Sequence, residues 1–293
     1  MDNPVDRFIP APDGLRLHYA EYGAHDWPGA PVVCLPGLTR AARDFDPLAR
    51  ALAFGGAVKR RVLALDYRGR GLSAYDTEWR RYDLATESAD ILAVLAAADI
   101  SRALFVGTSR GGLHIMALAA VRPEVLLGVA LNDIGPIVEP AGLMRIKNTV
   151  GKAPPLASWP AAIAFMRRAQ GRFFPRLSDA EWETWARMTF ADRDGALTPR
   201  YDPALANTLA SVTPDMAQLD LWPQFEALGA TPALFVRGAL SDVLSSETFA
   251  AMGRAHAGAE CLTVDGQGHA PLLIDAPTIA RIAAFVERVE AAS

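Results

Sequence analysis

The stretch VGTSRGGLHIMALAA, residues 106–120, decides the fold because it joins two kinds of pattern at a single serine. A short apolar run typical of a strand precedes Ser109, and a longer run with helical spacing follows it. Residues 107–111, GTSRG, fit the pattern G-x-S-x-G, which here predicts a sharp strand-to-helix turn that presents the serine in strained backbone geometry. Gly107 and Gly111 lack a Cβ atom, which lets strand and helix approach closely. A glycine-rich turn with a helix-capping serine is the alternative that this motif alone leaves open.

Apolar, β-branched runs alternate with helical patterns along most of the chain. The strand-like runs are LRLHYAEYG (15–23), PVVCLPG (31–37), RVLALD (61–66), ALFVG (103–107), VLLGVALND (125–133), TPALFVRG (231–238) and AECLTVDG (259–266). Near-continuous apolar strands that are separated by helices predict a parallel sheet with helices on both faces. The residues therefore predict an α/β fold.

The regular alternation stops after Asp133. Residues 137–222 contain helical patterns that are interrupted by prolines, and we interpret them as an inserted helical cap. Residues 1–136 and 223–293 then form the α/β core. Insertions at the ends of strands are common places for function. Four of the six tryptophans lie in the insertion, and they either pack the cap on the core or line a pocket: Trp159, Trp182, Trp185 and Trp222.

A serine nucleophile needs a general base, and His269 is the best placed of the five histidines. It lies in DGQGHAPLL, just after the last predicted strand, in a glycine-bounded loop that can carry a side chain over the carboxyl edge of the sheet. The other four lie within a strand, a helix or polar segments, and we interpret them as structural or surface residues: His18, His25, His114 and His256.

The imidazole of a general base needs a carboxylate that holds its tautomer. Asp242, in RGALSD after the penultimate strand, is the predicted acid, which gives the chain order Ser109, Asp242, His269. Asp133 is the alternative, because it ends the strand that follows the serine's strand-helix unit and points to the same edge. In the other interpretation, Asp133 anchors the hinge of the cap through local hydrogen bonds.

Acyl transfer also needs donors for the developing oxyanion. We predict the backbone N–H groups of Arg110, the residue after the serine, and of Leu38, in the loop after the strand at 31–37. The side chain of Arg110 is expected to be solvated or paired, with a role in the pocket as the alternative.

The motifs GTSRG, LPGL, DYRGRGLS, RGALSD and GQGHAPLL, in this order, resemble the α/β-hydrolase superfamily, specifically its capped, serine-nucleophile, esterase-like branch. The resemblance covers nearly the whole chain from Leu15 onward, except the cap. It implies the α/β-hydrolase fold, with a mostly parallel eight-stranded sheet and a Ser-Asp-His triad at its carboxyl edge. DYRGRGLS (66–73) looks like the family loop D-x-R-G-x-G-x-S, which supports the site without doing chemistry. Pro36-Gly37 stands where many relatives have His-Gly, so the shape of the oxyanion loop departs from theirs.

Composition narrows the classes of partner. The chain has 293 residues, a hydrophobic fraction of 51% and a net charge of −4. No block of lysine and arginine predicts nucleic-acid binding, and no apolar stretch of about 18 residues predicts a membrane span. No basic, apolar leader is visible, so we expect a soluble cytoplasmic protein. The sequence has no cluster of cysteines and histidines with the spacing of a metal site, and no cofactor is expected. We interpret Cys34 and Cys261 as buried thiols. The oligomeric state is left open.

The leading hypothesis is a cofactor-free serine hydrolase that cleaves a carboxylic ester or lactone of a small to medium, mostly apolar substrate through an acyl-enzyme on Ser109. Other branches of the family cleave epoxides or carbon–halogen bonds with a carboxylate nucleophile. Because this chain has Ser109 at the position of the nucleophile, the sequence argues against those two reactions. One alternative is cleavage of a carbon–carbon bond, in a ring-cleavage product or β-diketone, or of an amide, by the same triad. Relatives that cleave carbon–carbon bonds often have Asn where this chain has Thr108. The other alternative is a small-molecule binding protein on a hydrolase scaffold.

Overall fold

The computed structural model describes residues 3–216 and 218–292, in which the strands form one large sheet and a separate hairpin. The strands are β1 (Val5–Pro10), β2 (Arg16–Tyr22), β3 (Gly29–Leu35), β4 (Arg60–Asp66), β5 (Ala103–Thr108), β6 (Leu126–Asn132), β7 (Phe190–Arg193), β8 (Ala196–Pro199), β9 (Ala233–Gly238) and β10 (Glu260–Val264).

The large sheet has eight strands in the order β1-β2-β4-β3-β5-β6-β9-β10. The β1–β2 and β2–β4 pairs are antiparallel, and every pair from β4 to β10 is parallel. Every residue of β4 and of β6 is buried, which explains why these strands are apolar without alternation. The predicted α/β class and the mostly parallel, eight-stranded sheet are confirmed.

Helices cover both faces of this sheet, and further helices lie in the segment inserted after β6. They are α1 (Asp46–Arg50), α2 (Leu84–Ala97), α3 (Arg110–Val121), α4 (Pro140–Lys147), α5 (Trp159–Gln170), α6 (Asp179–Thr189), α7 (Trp222–Glu226), α8 (Ser246–Ala255) and α9 (Ala276–Ala291). One core layer contains apolar residues of α2, α3 and α8, and the other contains residues of α1 and α9. The carboxyl ends of β3, β5, β6 and β9 meet at one edge, so the loops after these strands lie close together.

Residues 137–222 form α4, α5, α6 and the first residue of α7, together with the β7–β8 hairpin. The helical patterns at 161–169 and 179–190 correspond to α5 and α6. The helical pattern at 207–212 does not form an α-helix, and the patterns did not predict α4 or the hairpin. This segment has its own aromatic core, in which Trp182 and Trp185 stack with ring centroids 5.3 Å apart and Phe174 packs edge-on against Trp185. The helix α6 begins with a capping box between Ser178 and Glu181. The segment thus has local start signals and an apolar cluster of its own, while its role as a cap stays a prediction.

The two cysteines differ in burial. Cys34 lies on the central strand β3 and is buried, as expected, whereas Cys261 is exposed. The expected burial of Cys261 is wrong because β10 is the edge strand of the sheet and has a neighbour on one side only.

Among the helices in the described part of the chain, none combines the length and the apolar character needed to cross a membrane.

Candidate active site

Ser109 occupies the tight turn between β5 and α3. Its φ is 52° and its ψ is −111°, a conformation that is costly for a residue with a side chain. The two glycines around it have steric roles, as predicted. A Cβ atom on Gly111 would lie 2.1 Å from the carbonyl oxygen of Leu35, and one on Gly107 would lie 2.5 Å from the backbone of Gly111. Larger residues at either position would push the helix off the strand, so the glycines allow Ser109 to stand at the tip of the turn.

A chain of hydrogen bonds links Ser109 to a buried carboxylate. His269 Nε2 lies 2.9 Å from Ser109 Oγ, and His269 Nδ1 lies 2.8 Å from Asp133 Oδ2. Asp133 is fully buried and also accepts hydrogen bonds from the Gly238 N–H, at 2.8 Å, and from the Ser241 hydroxyl, at 2.6 Å. A carboxylate that accepts from Nδ1–H leaves Nε2 as the acceptor for the serine hydroxyl. The arrangement therefore suits removal of a proton from Ser109.

The expected pairing of Asp242 with His269 is wrong. Both carboxylate oxygens of Asp242 accept from Arg145 of α4, at 2.5 Å from Nε and 2.7 Å from Nη2. Burial opposes the charge of Asp242, but Arg145 holds the pKa of this carboxyl below its ordinary value. Asp133 directly follows β6, whereas Asp242 lies four residues beyond the end of β9, where the loop turns toward α4. Asp133, which the sequence analysis named as the alternative acid, therefore makes the contact with His269.

The loops that carry the predicted oxyanion donors lie beside Ser109. A Cβ atom built on Gly37 would lie 3.8 Å from Ser109 Cβ, so the loop after β3 passes directly over the serine. Leu38, in this loop, and Ser109 line the same two cavities. Arg110 is the first residue of α3, and the first N–H groups of a helix have no acceptor within it. That these N–H groups bind an oxyanion stays a prediction.

One buried carboxylate, Glu87 of α2, ties these two loops together. It accepts from Arg110 Nε at 2.6 Å and from Arg70 Nη1 at 2.5 Å, while Arg70 Nε donates to the carbonyl oxygen of Leu38 at 2.9 Å. Burial opposes the charge of Glu87, but the charges of Arg70 and Arg110 hold its pKa well below the ordinary range. The side chain of Arg110 is therefore paired, which is one of the two arrangements expected from the sequence.

Glu87 is a supporting residue that the sequence reasoning missed. A signal was available, because Glu87 shares the helical spacing of Ile91 and Val94, which places it on the buried face of α2. The loop DYRGRGLS supplies Arg70, which agrees with the supporting role that the resemblance implies for it.

Two of the remaining histidines have partners of their own. His18 Nδ1 lies 2.7 Å from Asp66, and His114 Nε2 lies 3.2 Å from Glu87. Both are buried, so the structural interpretation of these two histidines agrees with their contacts.

Ser109 contributes to the lining of two cavities. The smaller has a volume of about 160 Å³, and its lining includes His269, the loop 36–38 and the charged residues Arg40, Asp44 and Arg145. The larger has a volume of about 430 Å³ and a mostly apolar lining, which includes Leu38, Ile134, Val138, Leu143, Ile146, Leu221 and Val243. Trp185 lines the smaller cavity, so this tryptophan both packs in the aromatic core and faces a pocket.

Comparisons with known proteins identify the family. The profile of the alpha/beta hydrolase family matches residues 32–282. The chain is 37% identical to an alpha/beta hydrolase from Novosphingobium aromaticivorans, whose crystal structure aligns with a TM-score of 0.90 over 98% of this chain and 99% of that one. It is 31% identical to a 3-hydroxybutyrate-oligomer hydrolase of Cupriavidus necator, over 92% of both chains. It is 27% identical to an sn-1-specific diacylglycerol lipase of Xenopus tropicalis, over 83% of this chain and 73% of the lipase. The fold and superfamily expected from the motifs are thereby confirmed, and the chain belongs to the alpha/beta hydrolase family.

Proposed function

We propose that the protein is a serine hydrolase that cleaves a carboxylic ester or lactone through an acyl-enzyme on Ser109. The observation that carries this proposal is the hydrogen-bonded chain from Ser109 through His269 to Asp133. Nucleophile, base and buried carboxylate are within hydrogen-bond reach of one another, which is the geometry that serine catalysis requires.

In the first half of the reaction, His269 Nε2 takes the proton of Ser109 as Oγ attacks the carbonyl carbon. The negative charge that develops on the carbonyl oxygen is held by the N–H groups of Leu38 and Arg110. The protonated imidazole, stabilised by Asp133, gives its proton to the departing alcohol oxygen, which leaves an acyl group on Ser109. In the second half, His269 takes a proton from water, the hydroxide attacks the acyl carbon, and the proton returns to Ser109 Oγ as the acid departs.

The names of two relatives support ester hydrolysis. One is a hydrolase of 3-hydroxybutyrate oligomers and the other a diacylglycerol lipase, and both named substrates contain ester bonds. We extend to this chain the reaction class, cleavage of a small-molecule ester, and not the particular substrate.

We further propose that residues 137–222 act as a cap over Ser109. Helix α4 contributes Arg145 and Ile146 to the lining of the smaller cavity, α5 contributes Gln170, and α6 contributes Trp185. The volumes of the two cavities support a substrate of small to medium size, and the apolar lining of the larger one supports a mostly apolar group in that half.

Replacement of the nucleophile tests the proposal. We expect Ser109→Ala to lower kcat on p-nitrophenyl esters and lactones by about 10⁴-fold or more, because the acyl-enzyme can no longer form. A fluorophosphonate is expected to label the wild type at Ser109 and not to label the variant. Ser246→Ala, at an exposed serine of α8, is the matched control and should retain full activity and labelling. Wild-type activity in Ser109→Ala would show that another group is the nucleophile, and a folded wild type that resists the fluorophosphonate would favour a binding protein.

A further inference from the structure

The smaller cavity beside Ser109 has two arginines in its wall, which an apolar substrate does not need. Arg40 lies in the loop after β3 and Arg145 lies on α4, so they approach the cavity from the core and from the inserted segment. Arg145 is 14% exposed and Arg40 is 23% exposed, so both guanidinium groups are largely removed from bulk solvent. An aspartate pairs with each of these groups, so what they offer a ligand is the N–H donors that those pairs leave over.

Each arginine is held in place by other side chains, and each keeps one nitrogen unused. Arg40 donates from Nε to Asp44 and from Nη1 to Thr189, at 3.0 Å in the second case, which leaves Nη2. Arg145 donates from Nε and Nη2 to Asp242, which leaves Nη1. Within residues 3–216 and 218–292, neither remaining nitrogen has a hydrogen-bond partner. Two anchored guanidinium groups with free N–H groups are a rigid pair of donors.

The charges around the cavity favour an anion. Of the three charged residues that line it together with His269, two are arginines and one is Asp44. Asp44 accepts from Arg40 Nε, so this carboxylate is engaged by one of the two arginines. Asp242, which pairs with Arg145, is not among the residues that line the cavity. The face that a ligand meets is therefore positive.

We propose that Arg40 and Arg145 form a carboxylate-binding subsite, so that the preferred substrate is an ester that carries a free carboxylate on the half that occupies the smaller cavity. This inference rests on the proposed ester hydrolysis at Ser109. A carboxylate has two oxygens that accept hydrogen bonds and matches planar guanidinium donors better than a neutral oxygen does. The other half of the ester occupies the larger, apolar cavity. The carboxylate comes either from a dicarboxylic acid, on the acyl side, or from a hydroxy acid, on the alcohol side.

Matched ester pairs test the subsite on the wild type. On the acyl side, p-nitrophenyl hemisuccinate is compared with p-nitrophenyl butanoate and with p-nitrophenyl methyl succinate, in which the second carbonyl is neutral. On the alcohol side, 3-acetoxybutanoate is compared with its methyl ester. We expect kcat/KM to be at least tenfold higher for the carboxylate member of one of these sets, and to fall for that member as salt is added. The set that shows the preference identifies the half of the ester that carries the charge.

Variants of the arginines then assign the preference. Arg40→Met and Arg145→Met are each expected to lower the ratio of kcat/KM for the charged ester to kcat/KM for its neutral partner by about tenfold. Arg167→Met is the matched control, because Arg167 lies on α5, in the same inserted segment, but not in the cavity lining. Its ratio should equal that of the wild type.

Equal rates for charged and neutral members in both sets would overturn the subsite while leaving ester hydrolysis intact. A preference that survives in both Arg40→Met and Arg145→Met would also overturn it. No hydrolysis of any of these esters, with no fluorophosphonate labelling of Ser109, would overturn the proposed function and the subsite with it.

Discussion

Two aspartates at the carboxyl ends of neighbouring strands have different surroundings. Asp133 follows β6, is fully buried, and accepts from His269, Ser241 and the Gly238 N–H. Asp242 follows β9, has a side chain that is 24% exposed, and has both oxygens on Arg145. Since β6 and β9 are adjacent, both carboxylates reach the same edge of the sheet. Both residues are aspartates at the same edge of the sheet, but Asp242 lies three residues farther beyond its strand than Asp133 does, and the two carboxylates have different partners.

The difference shows how the inserted segment affects the site. Arg145 lies on α4, 97 residues before Asp242, and withdraws this aspartate from the imidazole by a two-point ion pair. The Asp133 carboxylate accepts from the Gly238 N–H, the Ser241 hydroxyl and His269, and within residues 3–216 and 218–292 it forms no ion pair with an arginine or lysine, so its charge is available to the imidazolium of the proposed reaction.

The largest effect should come from Asp133→Asn. An amide at this position favours the wrong tautomer of His269, and we expect kcat on a neutral ester such as p-nitrophenyl butanoate to fall by about 10³- to 10⁴-fold. Asp242→Asn is the matched control, with a loss of less than about tenfold, because the contact between His269 and Asp133 is kept. Circular dichroism checks that both variants fold. If kcat fell as much in Asp242→Asn as in Asp133→Asn, the two carboxylates would share the role of orienting His269.

A smaller effect is expected for Ser241→Ala. The Ser241 hydroxyl donates to Oδ2 of Asp133, the oxygen that also accepts from His269, so its removal leaves the carboxylate less well oriented. We expect kcat to fall by about fivefold, which corresponds to about 1 kcal/mol, the usual net contribution of one hydrogen bond. Ser245→Ala is the control in the same loop. It removes the N-cap of α8, which lowers stability by about 1 kcal/mol, and should leave kcat unchanged. An unchanged kcat in Ser241→Ala would mean that Asp133 is positioned without this serine.

The last effect concerns the stability of the fold and its dependence on pH, and not the rate of catalysis. Arg145→Met removes the partner of Asp242, and we expect the free energy of unfolding at pH 7 to fall by about 1–2 kcal/mol, as for a partly buried ion pair. The pKa of Asp242 is lowered in the folded protein, so this stabilisation is complete above the ordinary pKa of 3.8 and is lost as pH falls through the lower, folded-state value.

Urea denaturation at pH 7 and near pH 3 measures the difference in the free energy of unfolding between the wild type and Arg145→Met. This difference should be smaller at the lower pH. Arg167→Met breaks an exposed ion pair with Asp179 and should show no measurable change at either pH. A difference that grows as pH falls would contradict the assignment of Arg145 as the partner of Asp242.

Several parts of the site could be predicted because they depend on local patterns. The turn at residues 107–111 requires small residues beside a serine, and the structure shows why, since a Cβ on Gly111 would collide with Leu35. His269 could be chosen because a glycine-bounded loop follows the last strand. Glu87 was missed because a glutamate in the first turn of a helix is ordinarily solvated, and its two arginine partners come from distant loops.

The sequence by itself determined the α/β class, the tight turn at Ser109 and the two loops that bring a histidine and a carboxylate to one edge of the sheet. These follow from apolar periodicity and from the steric demands of glycine, which act over a few residues. Only the tertiary structure decided which of Asp133 and Asp242 meets His269, and that two arginines face the cavity beside Ser109. The contacts of Asp242 with Arg145 and of His269 with Asp133 join residues that are 97 and 136 positions apart in the chain. Which carboxylate pairs with which cationic side chain therefore depends on how the inserted segment packs against the core.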